Sequence, residues 1–316
     1  MTSSEGVQAL SFKEELEERF ARFVHRTRTD SYCLSTPGIA RQTLIYCLEM
    51  LLCGDRLTRK ALAAHRGAPP PEGYLGPLSA GQVLAAHQIE YRIKAGSTAY
   101  VPKTGPVIFV GNHPHGMIDA MIGADVIMQV RKDLRVLANF SLLSNPVCGP
   151  YIAPIDFRGG RNADAFNLRS TAAFRQHVKS GGAGFVAPAG AIATREDLGE
   201  TATDGEWRTS AAKWARSAKA TIVPMYIDGE NSALFHLASK LNMVFRLGVL
   251  ALENFRLRRS VRNIAIGAPI SPETLSAFPS AVEATRFMRE RTYALRDMIR
   301  SPEPSPDLSL DPIAVG

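Results

Sequence analysis

No stretch of this 316-residue chain approaches the roughly 18 consecutive apolar residues of a membrane-spanning helix. The uncharged segment from Val136 to Ile155 is broken by Pro146, Pro150 and Pro154, which exclude a continuous helix there. Cysteine is scarce: Cys33, Cys47, Cys53 and Cys148 form no C-x-x-C pair. That spacing argues against a zinc knuckle, a redox motif or a disulfide framework, and points to a reducing compartment. Lys13, Glu14, Glu15, Glu17, Glu18 and Arg19 leave no room for the apolar core of a signal peptide near the first residues. No internal repeat and no low-complexity block is present. Acidic residues are outnumbered, 30 against 37 basic ones, for a net charge of +7. The excess suits an anionic membrane surface, an acidic carrier protein or nucleic acid. The last is set aside, since no nucleic-acid-reading module and no basic–aromatic interleaving occurs. The expectation is a peripheral protein on the cytoplasmic face of the inner membrane.

What is present describes an ordinary globular protein, 45% apolar and 21% charged. Residues Phe12 to Arg28 read as a helix, with Phe12, Leu16, Phe20, Phe23 and Val24 on one stripe and its charges ordered to suit the helix macrodipole. A second helix, Ile39 to Leu52, carries a wide apolar face. These two helices could lie on a bilayer or pack on a domain core, and both readings stay open. After the loop Ala68–Gly73, short strands alternate with helices. Strands are expected at Pro106–Val110, Arg135–Leu137, Ile152–Ile155, Gly184–Ala187, Thr221–Tyr226 and Asn263–Ile266, with helices at Asp164–Lys179, Glu206–Ala218 and Val282–Ile299. Such alternation implies an α/β fold with a largely parallel sheet covered by helices. The expected division is a helical, membrane-associated segment over residues 1–90, an α/β domain over 91–300 and a proline-rich disordered tail over 301–316.

The chemistry concentrates where the apolar run ending at Val110 gives way to Gly111-Asn112-His113-Pro114-His115-Gly116-Met117-Ile118-Asp119. One tight turn and the start of a helix hold two imidazoles and a carboxylate. Histidine moves protons near neutral pH, and a carboxylate beside it can fix its tautomer. The carboxyl ends of strands face the usual ligand crevice of α/β sheets. Three further segments fall at strand ends: Asp156 to Asn162, Ala187 to Ala191 and Val223 to Tyr226.

In order and spacing these four segments resemble the sequence blocks of the glycerolipid acyltransferase superfamily. Its first block is commonly N-H-x4-D, whereas five residues separate His113 from Asp119 here. A branch of lyso-ornithine lipid and hemolysin-like acyltransferases has N-H-P-x-G-x-x-D, matched by Asn112, His113, Pro114, Gly116 and Asp119. Its G-x-N-S-x-x-F signature is matched by Gly229, Asn231, Ser232 and Phe235, and its third block by Pro188-Ala189-Gly190. The resemblance implies a twisted, mostly parallel sheet flanked by helices, as in glycerol-3-phosphate acyltransferase, with an N-terminal helical membrane-docking segment. It implies transfer of a fatty acyl chain from an acyl carrier protein or coenzyme A thioester to a lysolipid hydroxyl, without a metal or bound organic cofactor.

In that scheme His113 is the general base and Asp119 orients and stabilises its imidazole. Asn112, His115, Gly116, Arg158, Arg161, Pro188, Gly190 and Asn231 are the expected substrate contacts. The two arginines suit a phosphate or carboxylate, and the turn around Gly190 could bring backbone N–H groups to the developing oxyanion. Phosphate-acceptor members carry F-P-E-G-T-R in the third block; Ala189 replaces the acid here, which tilts the acceptor from lysophosphatidate toward lyso-ornithine lipid. Two rivals stand beside this reading. His113-x-His115 with Asp119 superficially resembles a metal triad of a hydrolase, though His25, His65, His87, His177 and His236 are scattered singly. A non-catalytic lipid-binding protein is the other.

Overall fold

The computed structural model describes residues 12–27, 31, 33–51, 57–197 and 199–300. Four helices come first: α1 (Phe12–Thr27), α2 (Ile39–Leu51), α3 (Leu57–Ala64) and α4 (Ala80–Ala86). Then follow β1 (Ile89–Ala95), β2 (Val107–Gly111), α5 (Met117–Met128), β3 (Leu134–Asn139) and β4 (Ile152–Ile155). The chain continues through α6 (Arg161–Lys179), β5 (Ala183–Val186), α7 (Ser210–Ala218), β6 (Thr221–Ile227), α8 (Ala233–Leu241) and α9 (Met243–Arg256). It closes with β7 (Ser260–Ile266), α10 (Pro272–Ala277) and α11 (Ala281–Arg300).

The seven strands form one sheet in the order β1-β7-β6-β2-β5-β3-β4. Every pairing is parallel except β6 with β7. Strand β2 lies centrally and is buried at all five positions, as a strand covered on both faces must be. Its side chains divide by the two-residue period: Val107 and Phe109 enter one core, Ile108 and Val110 the other. The first core is built on α5, apolar nearly all round and buried at nine of its twelve residues. The second seats Phe174 and Val178 of α6, Ala211, Ala212 and Ala215 of α7, and Ala284 and Met288 of α11. Small residues on α7 let that helix approach the sheet closely.

The six expected strands are all present, one with both ends unchanged and none with an end shifted by more than three residues. The seventh, β1, lies outside the expected strands, although Ile89, Tyr91, Ile93 and Ala95 alternate with Glu90, Arg92 and Lys94 at a strand's two-residue period. Such charges suit an edge strand. The boundary placed at residue 90 falls inside β1, and Ala61, Leu78, Val83 and Leu84 ahead of it belong to the first core. Helix α2 packs on α9, where Leu48 lies against Gly248. The inner faces of the N-terminal helices therefore rest on the domain, while Leu16, Phe23, Leu44, Met50 and Leu51 remain exposed. The tail over 301–316 lies outside the described residues. No helix among the described residues is long and apolar enough to cross a membrane.

Candidate active site

The turn between β2 and α5 is organised by one carboxylate. Gly116 sits at the helix N-cap with φ +91° and ψ −124°, a conformation that L side chains rarely adopt. A Cβ there would also crowd Ile192 at 3.0 Å. This kink lets Asp119, in the first turn of α5, fold back on the preceding residues. Its Oδ2 accepts hydrogen bonds from the backbone N–H of His115 (2.8 Å) and of Gly116 (2.9 Å), and stands 3.0 Å from His113 Nδ1. Asp119 is fully buried, and burying an isolated carboxylate is costly; the three donors and the helix N-terminus offset that cost.

With Nδ1–H donated to Asp119, the His113 tautomer leaves Nε2 as the ring's acceptor. The His113 side chain is 23% exposed, and Nε2 has no partner among the described residues. The backbone of His113 is fixed from both sides. Its N–H donates to Asp204 Oδ1 (3.1 Å), and its carbonyl accepts from the N–H of Ala193 (2.8 Å). Asp204 is itself held by Trp207 Nε1 (2.9 Å), and its backbone by Tyr293 and Arg289 of α11. Burial pushes the Asp204 carboxyl above the usual range.

An apolar groove runs along α5. Met117, Ala120, Met121, Ala124 and Met128 supply one wall at helical spacing. Val136, Leu142 and Ile152 are among the residues opposite. The arrangement can take a proton at Nε2, and the apolar groove along α5 is of the kind a hydrocarbon chain fills.

A family described as acyltransferase matches residues 90–301. The chain belongs to the acyltransferase family. The family is the one to which the four sequence blocks pointed. Over 214 residues the chain is 24% identical to a lyso-glycine lipid O-acyltransferase of Bacteroides thetaiotaomicron, covering 66% of this chain and 76% of that protein. Among solved structures it is similar to the 1-acyl-sn-glycerophosphate acyltransferase of Thermotoga maritima. There the TM-score is 0.47 at 13% identity, over 91% of this chain and 90% of that one.

In this acyltransferase several expected substrate contacts turn out to be scaffold. The Asn112 side chain is 4% exposed, and both of its amide atoms bond the backbone of Ile227 (2.9 and 2.8 Å), clamping β2 to β6. His115 is fully buried, and burial pushes its pKa below the ordinary value. Its Nε2 lies 3.5 Å from the carbonyl of Asp228, against Gly229 and Arg262, so it is walled off from substrate. Asn231, 1% exposed, lies beside it. Gly116 shapes the turn, and its N–H is already given to Asp119. The signature around Ser232 is architectural too. Ser232 caps α8, and its backbone and hydroxyl bond the buried Glu253 of α9, while Phe235 fills the space beneath.

Arg158 and Arg161 lie on the exposed turn after β4, at the same edge of the sheet. Arg158 folds back onto Asp156 (2.7 to 3.1 Å) and lies over the Phe140 ring. Burial pushes the Asp156 carboxyl up, but the hydrogen bonds from Arg158 prevail and hold it below the usual range. Arg161, exposed at the start of α6, has no partner among the described residues. In the third block, Pro188 accepts the N–H of Arg208 (3.0 Å), and the Gly190 N–H is given to Ala187 (3.0 Å) rather than to the cleft. Arg195 does not serve the third block: its fork closes on Glu230 (3.0 and 2.5 Å).

Two residues near the site carry no signal in the sequence: Asp204, which holds His113, and Arg208, whose exposed side chain lies over Gly190. Both belong to the stretch between β5 and α7, where no motif marks them. Among the described residues, no three His, Cys, Asp or Glu side chains gather as metal ligands.

Proposed function

We propose that this acyltransferase is a lysolipid O-acyltransferase in which His113 is the general base. His113 Nε2 takes the proton of the acceptor hydroxyl as that oxygen attacks the thioester carbonyl. The tetrahedral intermediate then collapses, the C–S bond breaks, and the thiolate leaves and is protonated. Asp119 holds the imidazole in the productive tautomer and stabilises its charged form. The acyl chain lies in the groove along α5. The observation that carries this reading is the His113–Asp119 pair, which leaves Nε2 as the ring's acceptor where α5, the helix along the groove, begins. The step as written uses no metal and no bound organic cofactor. Donors of the right chemistry are acyl carrier protein or coenzyme A thioesters, and the net charge of +7 favours an acidic carrier.

For the acceptor the reading is lyso-ornithine lipid. Ala189 leaves no acid in the third block, and Arg195 is occupied by Glu230, so a lysophosphatidate pocket of the phosphate-acceptor kind is not supported. The relative from Bacteroides is named for another lysolipid carrying an amino acid. Net positive charge and the exposed apolar residues of α1 and α2 support a peripheral seat on the cytoplasmic face of the inner membrane.

The test is acyl transfer from labelled acyl carrier protein in detergent micelles, with lyso-ornithine lipid and lysophosphatidate in parallel and His113→Ala as control. Product with the first acceptor alone is expected. Product with lysophosphatidate alone would keep the mechanism and overturn the acceptor. No product with any lysolipid would leave the lipid-binding reading in its place.

A further inference from the structure

Five of the large apolar side chains open to solvent fall within twelve residues of each other. They are Leu234, Leu237, Leu241, Met243 and Phe245, between 43% and 64% exposed. Helix α8 buries Phe235, His236 and Ala238, and presents Leu234, Leu237 and Leu241 outward at spacings of three and four residues. Asn242 alone joins α8 to α9. Its side-chain oxygen accepts from the N–H groups of Val244 (2.9 Å) and Phe245 (3.2 Å), which fixes Met243 and Phe245 on the first turn of α9. The tip of this hairpin is therefore an ordered apolar surface, the reverse of the polar outer face a solvated helix pair would carry.

Lys240 stands on the last turn of α8, its Nζ bonded to the carbonyl of Glu196 (2.8 Å), and Arg246 on the first turn of α9; Arg256, Arg258 and Arg259 stand at the far end of α9. The one acid within residues 233–259, Glu253, is buried and paired with Arg256 (2.9 Å), and the chain as a whole carries a net charge of +7. The hairpin also reaches the catalytic turn. Leu250 and Ile192 pack against Gly116, Arg246 donates to the carbonyl of Ile192 (2.7 Å), and the next residue, Ala193, bonds the carbonyl of His113.

We propose that the tip of the α8–α9 hairpin inserts into the headgroup region of an anionic bilayer and sets the catalytic turn beside the lipid it acts on. The proposal rests on the lysolipid reading for its purpose, but its physical content is vesicle binding. An apolar tip on a chain of net charge +7 binds such a surface through buried area and electrostatic attraction together.

The full chain carrying Phe245→Trp, mixed with vesicles of phosphatidylglycerol and phosphatidylcholine, should show indole emission that is blue-shifted and quenched by brominated lipid, beyond the signal of Trp207 and Trp214 in the parent. The double variant Leu241→Glu, Met243→Glu should bind the vesicles at least about ten-fold more weakly. Its turnover of a detergent-dispersed acceptor should stay within about two-fold of the parent, since neither residue touches the site. A parent that ignores these vesicles overturns the proposal. So does vesicle binding with an unquenched Trp at 245, which would leave the N-terminal helices to carry the contact. A parent dimer that the double variant dissociates in sedimentation, with vesicle binding unchanged, would assign the face to a second copy instead. Absence of turnover on every lysolipid would remove the enzymatic reading and leave these binding results standing.

Discussion

After β2 the chain turns into α5 with its polar groups committed: Asn112 to Ile227, Asp119 to three donors, His113 held by Asp204 and Ala193. After β4, at the same edge of the sheet, it turns into α6 through Gly159 and Gly160, both at positive φ with open space around them. There Arg158 is closed on Asp156, while Arg161 is exposed with no partner among the described residues. A general base must be held to a fraction of an ångström, and the first turn is buried and cross-braced. Under the proposed function the second, exposed turn reads the headgroup, and the contrast would separate rate from affinity.

The sharpest way to break it is His113→Ala, which should lower kcat by about 10²- to 10⁴-fold while the circular dichroism spectrum is unchanged. His115→Ala should cost much less, because the buried ring cannot meet substrate; an equal loss would move the base. Next, Asn112→Ala should lower stability by about 1–3 kcal/mol, read as a shift in the urea midpoint, because the Ile227 backbone is left buried without its partners. Arg161→Ala should raise KM for the lysolipid roughly two- to five-fold with kcat unchanged, as suits an exposed charge. A fall in kcat instead would put the second turn into the chemistry.

The smallest effect is in acid. His115 has a lowered pKa in the folded state, so below its ordinary value of 6.5 the unfolded chain binds more protons. Its contribution to stability is complete above that value and is lost as pH falls toward the folded-state pKa. His115→Asn should therefore flatten the stability profile between pH 7 and 5. An unchanged slope would mean that His115 is not held neutral.

The contact between His113 and Asp119 was legible because it is local: five residues lie between them, and the glycine among these announces the turn. Its braces were not. Asp204 acts across 91 residues from a stretch with no helix or strand, so neither periodicity nor spacing marks it. Sequence neighbours of the pair misled for the same reason, since proximity along the chain cannot say that His115 points under the turn and Asn112 across to β6. The sheet was read where strands are apolar on both faces; β1, with charges on the open face of an edge strand, shows instead the two-residue alternation of apolar and charged residues. Leucines 234, 237 and 241 follow a core pattern yet face outward, which no count of apolar positions reveals.

The first strand of the sheet pairs with the last, Ile89 opposite Ser260. During synthesis a nascent β1 waits for about 10–35 s before its partner leaves the ribosome, with hydrogen-bonding groups bare along one side. The brace on His113 comes later still, because Asp204 is fastened by Arg289 and Tyr293 of α11. Both residues of the His113–Asp119 pair are therefore made early and braced late.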